Sequence, residues 1–270
     1  MNSKEYKDRK FTLINGDCFE EFKKIKAKTI NMVFADPPYF LSTENGISCS
    51  GGKMVSVNKG KWDKQLSIEE KHNFNKAWIK ECYRVLKDDG CIWISGTFHN
   101  IYSIGMALEE EGFKIVNNIT WKKLNPPPNL ACKCFTHSTE TIIWAVKDKK
   151  HYTFNYKLMK ELNGGKQHKD VWEGTLTKQT EKKFGKHPTQ KPEYLLEKII
   201  LASTNKGDKV LDCFSGSGTT GAVAIKLKRK FIGIEKDKKY YKNSLKRLIE
   251  AEDTKWKEIL INGYQHLETA

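Results

Sequence analysis

The four residues Asp36-Pro37-Pro38-Tyr39 carry the most pointed chemistry in the chain. They follow the apolar run Met32-Val33-Phe34-Ala35, which reads as a buried strand ending in this turn. Ligands of open α/β sheets gather at the carboxyl ends of strands, so the turn lies at a candidate site. Two consecutive prolines fix φ and remove two N–H donors, leaving the carbonyls of Asp36 and Pro37 as rigid acceptors beside the Asp36 carboxylate. Tyr39 adds a flat ring. A planar substrate bearing an exocyclic amino group suits this set: two acceptors take the amino hydrogens and the phenol stacks on the ring. A plain strand-ending turn would use the same prolines, so the rest of the chain must decide.

A second group runs Asp212-Cys-Phe-Ser-Gly216-Ser-Gly218-Thr-Thr-Gly221. Its glycines form a literal G-x-G-x-x-G, and Glu235 falls about 20 residues after the first of them, where an acid that binds ribose hydroxyls belongs. The pattern fits any nucleoside-containing cofactor, NAD included. Asp212, directly after its strand, would repel a pyrophosphate but attract an α-ammonium, as found in S-adenosylmethionine. Asp17, at the end of the strand Phe11–Asn15, supplies a further acceptor suited to an adenine amino group.

The composition bounds the partners. Lys and Arg outnumber Asp and Glu by 48 to 33 in 270 residues, a net charge of +15 that favours a polyanion such as nucleic acid. No apolar run approaches a membrane span and the N-terminus lacks a secretory core, which points to the cytoplasm. Seven scattered cysteines suit reduced thiols. Cys132-Lys-Cys134 with His137 lacks the paired spacing of a structural zinc site, so no metal is expected.

Those residues need a frame, and alternating signals supply one. Strands at Phe11–Asn15, Met32–Ala35, Cys91–Ser95, Lys209–Asp212 and Phe231–Glu235 alternate with helices, among them one opened by the Ser67–Glu70 capping box and one started by Pro192. Phe113–Trp121 and Thr141–Val146 read as a terminal antiparallel hairpin. Residues 40–63 read as a long loop and mobile lid at the site, with Lys53, Lys59, Lys61 and Trp62 as DNA contacts. Residues 147–186, where lysines interleave with aromatics, read as a nucleic-acid surface, with Lys166, Lys169 and Lys178 as contacts.

Taken together, the motifs resemble the amino-methylating DNA methyltransferases of the β arrangement, in which D-P-P-Y precedes F-x-G-x-G with target recognition between them. Trp121–Asn129, Ser138–Trp144 and His187–Pro192 extend the resemblance over nearly the whole chain; Cys213 departs from it where relatives often carry Pro. It implies a single α/β domain over residues 1–270, a doubly wound, mostly parallel seven-stranded sheet in circularly permuted order, with 147–186 as a target-recognition insertion. Asp36, Pro37, Pro38 and Tyr39 would act on the base. Asp17, Cys18, Asp212, Phe214, Gly216, Gly218, Thr219 and Glu235 would line an S-adenosylmethionine pocket, with Lys191 as partner of its carboxylate. Adenine N6 is the preferred target, with GATC the sequence suggested by the 125–191 stretch; cytosine N4, a nicotinamide oxidoreductase and a non-catalytic nucleic-acid binder are the alternatives. Dimers are common in that family, and a homodimer is compatible with the chain.

Overall fold

In a computed structural model the described residues are 4–7, 10–40, 47–48, 54–55, 65–254, 256–261 and 264–269. The chain begins with strands β1 (Lys4–Lys7) and β2 (Phe11–Asn15), helix α1 (Cys18–Phe22) and β3 (Ile30–Ala35). Two short strands, β4 (Ile47–Ser48) and β5 (Met54–Val55), pair only with each other. There follow α2 (Ile68–Val85), β6 (Leu86–Gly96), α3 (Ile101–Glu110), β7 (Lys114–Lys123), β8 (Thr139–Val146), α4 (Tyr156–Glu161) and β9 (Val171–Gly174). The last third supplies α5 (Glu193–Ser203), β10 (Lys209–Asp212), α6 (Thr219–Lys226), β11 (Lys230–Glu235), α7 (Lys238–Asp253) and a separate ribbon of β12 (Trp256–Ile261) and β13 (Tyr264–Thr269). Among the described residues no helix is long and apolar enough to cross a membrane.

The main sheet runs β1-β2-β11-β10-β3-β6-β8-β7-β9. Its central seven strands are those anticipated, and two edge strands widen it: β1 lies antiparallel on β2, and β9 parallel on β7. The β7–β8 hairpin is therefore present but not terminal. In β3, Met32 and Phe34 belong to one core and Val33 and Ala35 to the other, all buried. A strand covered on both faces must be apolar throughout, which is why this run shows no polar alternation.

Helices α1, α2 and α3 contribute to one core layer and α4, α5, α6 and α7 to the other. The Ser67–Glu70 capping box forms with both reciprocal bonds, Glu70 N to Ser67 Oγ at 3.1 Å and Ser67 N to Glu70 Oε2 at 2.9 Å. Helix α2 stops at Val85 because Leu86 turns extended and pairs with Ile30, so sheet pairing overrides helical propensity. The pairing of β7 with β8 carries a register shift between Ile115 and Asn117.

Residues 147–186 are woven into the fold: Met159, Leu162 and Trp172 are buried in the core, and β9 extends the sheet. Because β9 runs parallel to β7, Lys178 follows it on the carboxyl edge, whereas Lys166 and Lys169 precede it at the opposite edge; all three are exposed.

The order of the central strands positions the site. From β3 the chain moves to β6 on one side, and from β10 to β11 on the other, so β3 and β10 flank the topological switch point. Asp212 is the register partner of Phe34, which brings the carboxyl ends carrying Asp36 and Asp212 together.

Candidate active site

Where β3 ends, the Asp36–Tyr39 turn is drawn into a chain of charges. Tyr39 donates its hydroxyl to Asp36 Oδ1 at 2.6 Å, and Lys191 Nζ donates to Asp36 Oδ2 at 2.7 Å and to the Tyr39 oxygen at 2.8 Å. Lys191 Nζ also lies 3.5 Å from Glu140 Oε2, and Glu140 Oε1 lies 2.8 Å from Lys123 Nζ. The four charged side chains are between 6% and 13% exposed and sum to zero charge, the condition under which buried ions are tolerated.

Burial pushes the Asp36 carboxyl upward, and Lys191 opposes that without cancelling it. Burial would lower Lys191, but Asp36 and Glu140 together hold it above the ordinary lysine value. Glu140, desolvated but facing Lys191 and Lys123, is held below the ordinary carboxylate value. Sequence reasoning expects Lys191 near the cofactor's carboxylate; its ion-pair partners here are the protein's own Asp36 and Glu140. Tyr39 likewise differs from a freely presented ring: it is 3% exposed, with its hydroxyl tied to Asp36.

The turn is anchored from outside. Asn100 Nδ2 donates to the Pro38 carbonyl at 3.0 Å, and Asn75 Nδ2 donates to Asn100 Oδ1 at 2.6 Å, with both asparagines buried. Phe40, next after the motif, has φ 57°, and its ring meets Phe74 edge-on at 5.4 Å. A non-glycine residue in the left-handed region costs about 1–2 kcal/mol, which that packing and the anchored turn offset.

The second pole occupies the ends of β2, β10 and β11. A cavity of about 170 Å³ is lined by Asp17, Cys18, Asp36, Pro38, Phe214, Gly216 and Glu235, together with Gly16, Phe19, Phe74, His187, Thr189, Cys213, Ile234, Lys236 and Tyr240. A smaller cavity of about 30 Å³ has Asp36, Lys191, Asp212, Phe214, Gly216 and Thr219 in its wall. Asp17 caps α1, accepting from Phe19 N at 3.0 Å, and pairs with Lys236 at 2.9 Å. Asp212 accepts from Phe214 N at 3.0 Å; Glu235 accepts from Gly216 N and Asp237 N, each at 2.7 Å. Burial nonetheless pushes both carboxyls up to about 7. Burial also raises the Cys18 thiol far above its ordinary value, so at neutral pH it is a neutral wall group.

Two of the three glycines serve different ends. Gly218 has φ 76° and caps α6, and a Cβ there would clash with Ser244 Oγ. A Cβ on Gly221 would instead strike Phe231 and Leu248, so this glycine serves helix-to-sheet packing. Thr219 shares a hydroxyl hydrogen bond with Ser217 at 2.9 Å.

Sequence reasoning missed much of the wall. His187, which the sequence marks only as the first residue of the His187–Pro192 motif, lines both cavities, stands edge-on to Tyr240 at 4.3 Å and is held neutral, its pKa lowered to about 4 chiefly by burial. Phe19, Phe74, Thr189 and Tyr240 come from elements far apart in sequence, and no spacing rule joins them. Glu140 sits within the quoted Ser138–Trp144 motif, so a polar residue opening an otherwise apolar strand was the available signal. Lys53, Lys59, Lys61 and Trp62, and the lid read from residues 40–63, lie outside the described residues except for Phe40 and the short strands β4 and β5.

Comparison with known proteins agrees with this geometry. The family described as DNA methylase matches residues 30–246. Type II methyltransferase M2.DpnII of Streptococcus pneumoniae is 62% identical over 256 residues, covering 94% of this chain and 94% of that protein. Type II methyltransferase M2.LlaDCHI of Lactococcus lactis subsp. cremoris is 61% identical over 251 residues, covering 92% and 93%. Among solved structures, the M1.HpyAVI–SAM complex aligns with a TM-score of 0.64 at 31% identity, covering 88% of this chain and 98% of that one. With the Asp36–Tyr39 turn and the glycine loop after β10 meeting at one switch point, and relatives of this identity along nearly its full length, the chain belongs to the DNA methylase family.

Proposed function

We propose that the protein transfers a methyl group from S-adenosylmethionine to the exocyclic N6 of adenine in DNA, within the sequence GATC, as the modification enzyme of a restriction–modification system. The observation that carries the reading is the meeting of the Asp36–Tyr39 turn and the Asp212/Glu235 pole on one cavity system at the switch point. The close relatives named Type II methyltransferases support the biological setting, and the motif resemblance supports adenine and GATC.

The residues present fit the cofactor. Glu235 and Asp17 offer acceptors for sugar hydroxyls and a ring amino group, and Phe19, Phe214 and Ile234 give apolar walls. Asp212, buried and held by the Phe214 amide and the Thr220 side chain, is suited to an ammonium. When bound, the cofactor supplies an electrophilic methyl on a sulfonium. Asp36 accepts from the target amino group, a charge-assisted bond that draws the nitrogen lone pair out of ring conjugation, and the Pro37 carbonyl takes the second hydrogen. Lys191 favours the ionised form of Asp36 while the base is absent, against the opposing effect of burial. A base inside a duplex cannot present its amino group in this way, so the target must leave the stack.

The reaction needs no metal and takes place in the cytoplasm, where the DNA is. Residues 147–186 act in target recognition, with Lys178 on the catalytic edge. Two copies pair as in the family it resembles; light scattering tests that. The deciding experiment incubates protein, cofactor and DNA, then digests to nucleosides for mass spectrometry. N6-methyladenine confined to GATC is expected; N4-methylcytosine would replace the adenine reading, and unmodified DNA would end both.

A further inference from the structure

Beside the catalytic turn stands a group of rings that neither the charge chain nor the cofactor pole uses. Phe98, in the turn after β6, has its ring centroid 3.7 Å from that of His99 and 5.0 Å from that of His137, with planes tilted by 33° and 37°. All three are exposed, Phe98 by 48%. A lone exposed aromatic needs no explanation. A phenylalanine packed against imidazoles from two separate segments, and still about half exposed, is a preformed surface. It is fixed to the site: Asn100, two residues on, is the buried anchor of Pro38, and Gly96 pairs with Thr141, so both ring-bearing segments start at the same edge of the sheet.

We infer that Phe98, His99 and His137 form a stacking platform for the nucleotide adjacent to the target base. This rests on the proposed reading of DNA as substrate. When a base leaves the stack, its neighbour loses a stacking partner, and every base has a π-face that an aromatic surface can cover without reading its identity. Charge fits the same occupant: Lys71 Nζ donates to the His99 carbonyl at 2.8 Å, which puts a cation at the border of the platform, and Lys133 is exposed in the segment that carries His137. His137 also meets Cys134, whose Sγ lies 3.8 Å from its Nε2, a contact that helps to fix the imidazole beside Phe98.

The test is a double perturbation on the cofactor-loaded protein. Phe98→Ala should weaken binding of a GATC oligonucleotide by about tenfold, within the range of base–aromatic stacking, and leave S-adenosylmethionine affinity and melting temperature unchanged; Phe98→Trp should bind as wild type. An abasic nucleotide beside the target adenine should weaken the wild type by a similar factor and weaken Phe98→Ala no further. Equal DNA affinity of wild type and Phe98→Ala, or full additivity of the two perturbations, overturns the platform while leaving the methyltransferase reading intact. A wild type that neither binds nor methylates DNA overturns that reading and the platform with it. If Phe98→Ala loses cofactor binding, His137→Ala on the exposed segment carries the same decision.

Discussion

The two poles of the site hold acids of the same kind in opposite ways. Asp36 meets a cation at 2.7 Å and belongs to a neutral chain of four buried charges. Asp212 and Glu235 are held by backbone amides and are pushed up to about 7 by burial. The catalytic pole is thus electrostatically complete without a ligand, whereas the cofactor pole becomes so only when a ligand brings hydroxyls and positive charge. Preorganisation at one pole and ligand-dependent ionisation at the other make chemistry and binding separable.

The sharpest break is Asp36→Ala. It should abolish methyl transfer while leaving S-adenosylmethionine affinity within a few fold, as read by radiolabel transfer and calorimetry; equal loss of both in a folded protein would show that the poles are not separate. Asp36→Asn should retain a trace of activity, since an amide oxygen still accepts but lacks the assisting charge.

Next in size is Lys191→Met, which leaves two carboxylates facing one another. Removing one partner of a buried ion pair costs about 3–5 kcal/mol, and protonation of Asp36 will recover part of it. Urea denaturation should show a loss of stability that shrinks as pH falls. A loss independent of pH would mean that the chain of charges is not what holds the turn.

A third, smaller effect probes the other pole. A buried carboxyl whose folded pKa lies above its unfolded value of 3.8 or 4.5 favours folding when protonated; that contribution is full below about pH 4 and is lost as pH rises to about 7. Cofactor binding favours the ionised forms of Asp212 and Glu235, so affinity should rise through neutrality with release of protons. Calorimetry in buffers of different ionisation enthalpy should detect that release near pH 6.5 and lose it above pH 8.5. Asp212→Asn should reduce it.

The smallest effect concerns the lysines. Neutralising Lys178 should flatten the slope of log affinity against log salt by about 0.9 for one lost phosphate contact. Lys166 and Lys169, at the far edge of the sheet, should change it little; a larger effect from them would place DNA across both edges.

Both poles could be read from the sequence because each is local: a strand followed by Asp36-Pro-Pro-Tyr39, and a strand followed by Asp212 and its glycines. The central seven strands were equally readable, since fully buried strands leave continuous apolar runs such as Met32–Ala35. What escaped was convergence. Nothing in the spacing of Lys123, Glu140 and Lys191 says that their side chains meet, because the orientation of Lys191 follows charges just after β3 and on β8. Strand β9 went unread because four residues with only Trp172 buried carry no period.

The neighbouring strands β3 and β10 come from opposite ends of the sequence, pairing Val33 with Leu211. Such long-range pairing slows folding, because a large loop must close before its contacts form. On the ribosome, the catalytic turn is synthesised early and waits for its companion strand until most of the chain has emerged. The same seam makes the molecule a candidate for circular permutation: joining the present termini and opening the chain between β9 and α5 would roughly halve the sequence separation of β10 and β3, and the rearranged protein should fold faster to the same site.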